Sequence, residues 1–454
     1  MPDESEPKPG PLRWISVGVL AFVVLGFVLQ TFGPGLLRAE PRDAMVYWEA
    51  SRVMQEGEGD IYSTGGWESF NQPYIYPPAF AAAFTPVTWL DDRPEMDPKQ
   101  RGLMRPYPFP TGTYVWVALH AVMWAAAIWL LVCALSDDHT RRLRLAMMAT
   151  LGTWGAIWMD ADFGNVNLLI LLAMVAGFAS VQRGRELRGG MLIGAAAMVK
   201  VMPGVLFVIF LAQRKWKACG GMVLGALLLW LVPLLITVPN HGLIGGIEAN
   251  IDMTATWLGD LLFPSLRSAE YGNTPPYIFA NTSVDAAMHR LFGEGVQLKI
   301  LTWDQGDLGP LLFALPDWLI KFVGLSVPVA MFGAGVTGAL KRRDSRAQWG
   351  MAGLAFMAAS SANVLFWHYH FCAFALPLAA AFAAARKHVD QRLAVAGLVS
   401  IGLVALGPPL LAAGFHQVAM VKLLVWGVPT LGFLAGWVCL WLCLWRSTRD
   451  EPVA

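Results

Sequence analysis

Repeated apolar runs, set apart by short basic punctuation, constrain this chain more than any other feature. A bilayer core of about 30 Å takes about 20 consecutive apolar residues of helix. Stretches such as Trp14–Phe32 and Leu393–Leu411 offer that length. The second of these, like Leu192–Ala197, is apolar on every face, whereas membrane-barrel strands alternate between apolar and polar residues. The chain is therefore expected to be an all-α polytopic membrane protein. Composition agrees, because 56% of the 454 residues are hydrophobic and only 14% charged, too apolar for a soluble domain of this length. With a net charge of +1 and its Lys and Arg residues in separate loop clusters, the chain has no basic stripe for a nucleic acid.

The basic clusters set the expected topology. Arg141–Arg144, Arg183–Arg188, Arg214–Lys217, Lys341–Arg346, Arg386–Arg392 and the tail from Arg446 belong on the cytoplasmic side. About ten spans follow, near 14–33, 112–135, 145–159, 166–181, 218–238, 312–339, 348–366, 371–385, 393–413 and 423–445. The first is read as an uncleaved helix, being too long for a signal h-region. Residues 189–213 lie between two cytoplasmic clusters and are interrupted by Lys200 and Pro203. A hairpin of two short helices with Lys200 at its tip satisfies both facts. The long segments 34–111 and 239–311 then face outward. Ala44–Met54 in the first is expected to be an amphipathic surface helix, and the whole of 1–454 one transmembrane domain.

Strong polar residues gather at the predicted outer boundary. Asp43 follows the first span, Asp160, Asp162, Asn165 and Asn167 join the third and fourth, and His368 and His370 occupy a late turn. Lys200 joins them at the hairpin tip. Ionisable groups beside hydrocarbon are costly, so their convergence on one level points to a shared polar cavity. Local roles compete with this reading: Asp43 suits an N-cap, Asp160 and Asp162 suit turn formers, Lys200 suits snorkelling, and the histidines suit interfacial side chains. His120, inside the second span, reads as a packed helix residue. His-x-His without a carboxylate pair offers no metal-ligand spacing.

The order of short motifs then carries a resemblance. Asp43-Ala-Met-Val-Tyr47-Trp48-Glu-Ala50, Asp60-Ile-Tyr62 and Tyr74-Ile-Tyr76-Pro77-Pro78 resemble the opening signature of glycosyltransferase family 87, the polyprenol-phosphate-mannose-dependent mannosyltransferases of the GT-C class. Gly164-Asn165-Val166-Asn167-Leu168 resembles the family's Gly-Gln-x-Asn turn, with Asn165 in place of Gln. Lys200-Val-Met-Pro203, Asn281-Thr-Ser283 and Trp367-His368-Tyr369-His370 resemble its later segments.

The resemblance implies a GT-C-type helical bundle that passes a sugar from a polyprenyl-phosphate donor to a glycolipid or glycan acceptor at the outer face of the cell membrane. Inversion at the anomeric carbon requires one general base on the acceptor hydroxyl, and positive or hydrogen-bonding groups on the departing phosphate. Asp43 suits the first role; Lys200, His368 and His370 suit the second. Tyr47, Tyr76, Asp160, Asp162, Asn165, Asn167 and Asn281 are candidates for the substrate pocket. No cofactor is implied, since the donor is itself a membrane lipid. The rival reading is a secondary transporter or lipid-linked-sugar flippase, which also uses broken helices and buried charge. That reading expects polar groups in both halves of the membrane, and here they gather on one side.

Overall fold

The structure, a computed structural model, describes residues 26, 28–33, 42–57, 59–62, 74–90, 110–265, 281–294, 296–300, 303–308, 312–342, 344–362, 366–385, 387–412, 423 and 426–447. Most of the first expected span, 14–33, lies outside them. Among the described residues the chain is helical apart from one antiparallel hairpin, β1 (Val296–Ile300) with β2 (Trp303–Leu308).

The expected surface helix is α1, Arg42–Glu56. It begins before Ala44, so Asp43 lies inside the first turn, where a carboxylate favours the helix dipole. Ala44, Tyr47, Ala50, Ser51 and Met54 are buried, a stripe at three- and four-residue spacing. That stripe packs on α2 (Pro78–Thr88). Ser51 and Thr85 hydroxyls meet at 3.0 Å, and Gln55 Nε2 donates to Thr88 Oγ1 at 2.8 Å. Pro78 opens α2 at a position where a helix has no use for the missing N–H.

Next come α3 (Pro110–Leu135), α4 (His139–Phe163), α5 (Asn167–Gln182), α6 (Glu186–Val199), α7 (Leu206–Ala212) and α8 (Trp216–Trp230). The N-terminus of α4 is capped by Asp138, which accepts from the backbone N–H of Arg141 at 2.6 Å. Helices α6 and α8 pack most closely. A Cβ on Gly190 would sit 2.0 Å from the carbonyl oxygen of Ala218, and one on Gly225 would sit 2.1 Å from that of Met191. Gly190 with Gly194, and Gly221 with Gly225, form two small-xxx-small faces that let the backbones touch. This contact fixes the axis of α6 and thereby the position of Lys200 at its end. There the helix breaks: Lys200 is extended (φ −150, ψ 120), and a 3₁₀ turn, Met202–Val205, separates it from α7.

The second half contains α9 (Leu234–Thr256), α10 (Val284–Phe292), α11 (Asp317–Lys341), α12 (Ser345–Ser361), a 3₁₀ turn (His368–Phe374), α13 (Ala375–Ala384), α14 (His388–Ala412) and α15 (Val428–Arg446). Much of 239–265, expected as loop, is helix: α9 is kinked at Gly242 and runs on through a π turn at Trp257–Leu262.

Among the described residues four helices are long and apolar enough to cross a membrane: Thr111–Leu135, Asp317–Lys341, His388–Leu406 and Val428–Arg446. Trp216–Trp230 with Leu234–Leu262 makes a fifth only as a pair bent by 69°. The expectation of about ten full spans is thus met by four or five. Helix α5 has 16 residues, roughly 24 Å at 1.5 Å per residue, short of the bilayer core. Segment 371–385 divides between the 3₁₀ turn and the ten residues of α13. Helix α4 opens on His139-Thr-Arg-Arg-Leu-Arg, which dilutes its hydropathy. Apolar runs read from sequence merge pieces that breaks and charges separate in space.

Candidate active site

The turn between α4 and α5 is the hub. Gly164 caps α4 in the left-handed region, φ +67, a conformation that residues with a Cβ rarely adopt. Asp160, fully buried in the last turn of α4, accepts from the Asn167 N–H at 3.2 Å and the Leu168 N–H at 3.0 Å. It thereby satisfies donors at the start of α5 that have no partner within the helix. Its Oδ1 also accepts from Asn167 Nδ2 at 2.8 Å. In this arrangement Asp160 is a scaffold carboxylate.

From the hub, side-chain amides reach in both directions. Asn165 Nδ2 donates to the Asp43 carboxylate and, at 3.3 Å, to the Tyr76 hydroxyl. Asn165 Oδ1 accepts from Asn167 Nδ2 at 2.8 Å, and Asn167 Oδ1 accepts from Lys200 Nζ at 3.0 Å. Asp43 and Lys200, 157 positions apart in sequence, are therefore the ends of one hydrogen-bonded chain through two asparagines. The shorter Asn165 side chain still reaches Asp43 in the place where a Gln was expected. Tyr47 lies one helical turn from Asp43 and donates to the Tyr76 hydroxyl at 3.1 Å. Burial, and then the Asp43 charge, push the Tyr76 phenol well above its usual range, so this hydroxyl stays protonated.

Lys200, Tyr76, Trp367, Tyr369 and His370 contribute polar and aromatic lining to a cavity of about 430 Å³. The Lys200 ammonium stands 5.5 Å over the Tyr369 ring, within cation–π range. His370 stacks on Phe366 at 5.4 Å, and its Nδ1 lies 2.9 Å from the Trp367 N–H. Much of the remaining lining is apolar, with Val201, Val205, Leu262, Val329 and Phe332. Val201 and Val329 are exposed, so the cavity combines a polar cluster with accessible apolar lining.

Not every expected residue lines it. Asp43 is half-buried and lies outside the lining, linked to it through Asn165 and Tyr76. His368 points away: it is buried, stacks near Phe371 at 6.2 Å, and neither ring nitrogen has a hydrogen-bond partner among the described residues. Asn281 serves as a clamp, its Oδ1 accepting from the Ser283 N–H at 3.0 Å and the Phe366 N–H at 3.1 Å. It holds the start of α10 against the chain that enters the Trp367 turn. Asp162 does not line the cavity. Among the described residues no group of three or more His, Cys, Asp or Glu is placed to hold a metal ion.

Trp257 and Tyr369 line the cavity and were not singled out as site residues from sequence. The only local signal for Tyr369 is its place between two histidines.

The profile of glycosyltransferase family 87 matches residues 74–362, well over half of the chain. The chain belongs to glycosyltransferase family 87. The match takes in Tyr76, Asn165, Asn167, Lys200 and Asn281, while Asp43, His368 and His370 fall outside it. Among relatives, the chain is 29% identical over 173 residues to a polyprenol-phosphate-mannose-dependent alpha-(1-2)-phosphatidylinositol pentamannoside mannosyltransferase of Mycolicibacterium smegmatis, covering 36% of each chain. It is 24% identical over 283 residues to an alpha-(1->3)-arabinofuranosyltransferase of Mycobacterium tuberculosis, covering 59% of this chain and 50% of that one. The chain thus spans between a third and a half of the length of these relatives. ArnT from Cupriavidus metallidurans, solved bound to undecaprenyl phosphate, aligns over 97% of this chain and 78% of its own at 14% identity and a TM-score of 0.38. A likeness that slight carries no argument about the fold or the site.

Proposed function

We propose that this membrane protein transfers a hexose, mannose by analogy with its relatives, from a polyprenyl-phosphate donor to a lipid or glycan acceptor at the outer membrane face, with inversion. The observation that carries the reading is the single hydrogen-bonded chain joining a carboxylate, Asp43, to a cation, Lys200, which lines a cavity whose walls are both polar and apolar. The acceptor oxygen attacks the anomeric carbon while Asp43 takes its proton. The bond from that carbon to the phosphate oxygen breaks, and its electrons leave on the phosphate. Lys200 and His370 face that phosphate, and the prenyl chain lies along Val201, Val329 and Phe332. Asp43, outside the lining, meets the acceptor from the opposite side. Tyr76 accepts from Tyr47 and Asn165, which leaves its own proton for a substrate oxygen.

The test is transfer of labelled sugar from a polyprenyl-phosphate donor to extracted membrane glycolipids by the purified full chain in liposomes. Label moved across the bilayer with no transfer would replace this reading with a transporter. Mass spectrometry of glycolipids with and without the protein identifies the product. His370→Ala removes one of several phosphate-facing groups, so donor-analogue affinity should fall by about tenfold, the low end for a hydrogen bond to a charged group. Unchanged affinity would remove His370 from the phosphate site.

Sidedness follows from the basic loops. In a cysteine-free background, Asp60→Cys and Asp285→Cys should react with an impermeant thiol reagent from outside, and Leu143→Cys and Lys215→Cys only from the cytoplasm. The reverse pattern would invert the map.

A further inference from the structure

Helix α3 carries two buried aromatic rings one turn apart, Trp116 and His120, both directed at the hub turn. Trp116 Nε1 donates to the Gly164 carbonyl at 2.8 Å. His120 Nε2 lies 2.6 Å from the Asn165 carbonyl oxygen, and His120 Nδ1 lies 2.8 Å from the Trp116 carbonyl oxygen. A carbonyl oxygen only accepts, so each contact requires an N–H on the ring. A neutral imidazole has one N–H; the imidazolium has two. With one proton, a ring lone pair would face a carbonyl lone pair in a fully buried place, where an unmet polar group is expensive. The Asp160 carboxylate stands 3.8 Å from His120 Nε2, and both side chains are fully buried. Buried charges of opposite sign at this range lower each other's cost.

We propose that His120 is a buried imidazolium paired with Asp160, and that this pair is the positioning device of the site. His120 holds the backbone carbonyl of Asn165, whose side chain orients Asp43. Asp160 holds the backbone and side chain of Asn167, which orients Lys200. The pair also settles where charge is available: with Asp160 met by His120, the Lys200 ammonium bonds a neutral amide and keeps its charge for an anion. The positioning half of the inference rests on the reading of Asp43 and Lys200 given above; the charge state of the pair does not.

Three measurements on the full chain in lipid decide it. Nitrogen-15 NMR of histidine-labelled protein, with His120→Gln to assign the signal, should find both His120 nitrogens protonated near neutral pH. One unprotonated nitrogen would overturn the imidazolium. His120→Gln and Asp160→Asn should each lower the melting temperature, and the double variant should lose clearly less than the sum of the two, because the charges leave together while the hub donors of Asp160 are weakened only once. Additive losses would overturn the pairing. Sugar transfer in His120→Gln should fall on the order of 10²-fold, the cost of a misplaced catalytic group. It should stay low in the double variant although the two stability losses do not add, because a side-chain amide at position 160 cannot replace a carboxylate that meets three donors of the hub. Transfer losses that simply track the melting temperature across the three variants would show a purely structural role. If Asp43→Asn and Lys200→Met leave transfer intact, the site reading fails while the NMR and melting results still decide the pair.

Discussion

Asp43→Asn should lower sugar transfer by about 10²–10⁴-fold, the usual worth of a general base, while fold and donor binding persist. The substitution keeps the side-chain oxygen that accepts from Asn165 Nδ2, and Asn is isosteric with Asp. It removes basicity, and it removes a carboxylate from the first turn of α1, worth about 0.3–1 kcal/mol against the helix dipole. That loss is too small to unfold the chain, so a fall in turnover would report chemistry. Donor-analogue binding should be unchanged, because Asp43 lies outside the cavity lining. The measurement is single-turnover transfer beside analogue affinity on the same preparation. Near wild-type turnover would move the base elsewhere, and Asp160 is a poor replacement, since its oxygens already accept three donors of the hub turn.

Lys200→Met should weaken donor-analogue binding by about 10- to 100-fold, as expected for losing a hydrogen bond to a charged group, and should slow transfer further. The phosphate gains charge as the anomeric bond breaks, so a cation facing it stabilises the transition state more than the ground state. Methionine fills a similar volume beside Tyr369 and leaves Asn167 Oδ1 without its Lys200 donor. Lys200→Arg should restore binding in part, the charge being kept while the single-point contact to Asn167 is not reproduced. Unchanged affinity together with unchanged transfer would make Lys200 a structural residue and place the phosphate elsewhere.

The sequence was informative wherever a property is local. Burial of the α1 stripe, the short α2, the break at Lys200 and Pro203, and the grouping of polar residues at one level follow from spacing, from proline and from the cost of charge in lipid. The span count was less legible. Residues 218–238 look like one apolar run, yet the chain turns at Leu231–Pro233 and the two helical pieces are bent by 69°. Hydropathy averages along the chain and does not register such a bend.

His120 and His368 show where sequence reading stops. By local pattern, His120 is a lone histidine in a span and His368 is half of a functional pair. In the structure His120 contacts a residue 45 positions away and braces the hub turn, while His368 faces Phe371 away from the cavity. By itself the sequence determined a helical membrane protein, its family motifs and the chemical types available to one polar cluster. The tertiary structure decided which of those groups meet. The Asp43–Asn165–Asn167–Lys200 chain is made of hydrogen bonds between residues up to 122 positions apart, and such contacts depend on how helices cross. The glycine faces of α6 and α8 set one of those crossings, and the left-handed turn at Gly164 sets the direction in which the two asparagines reach.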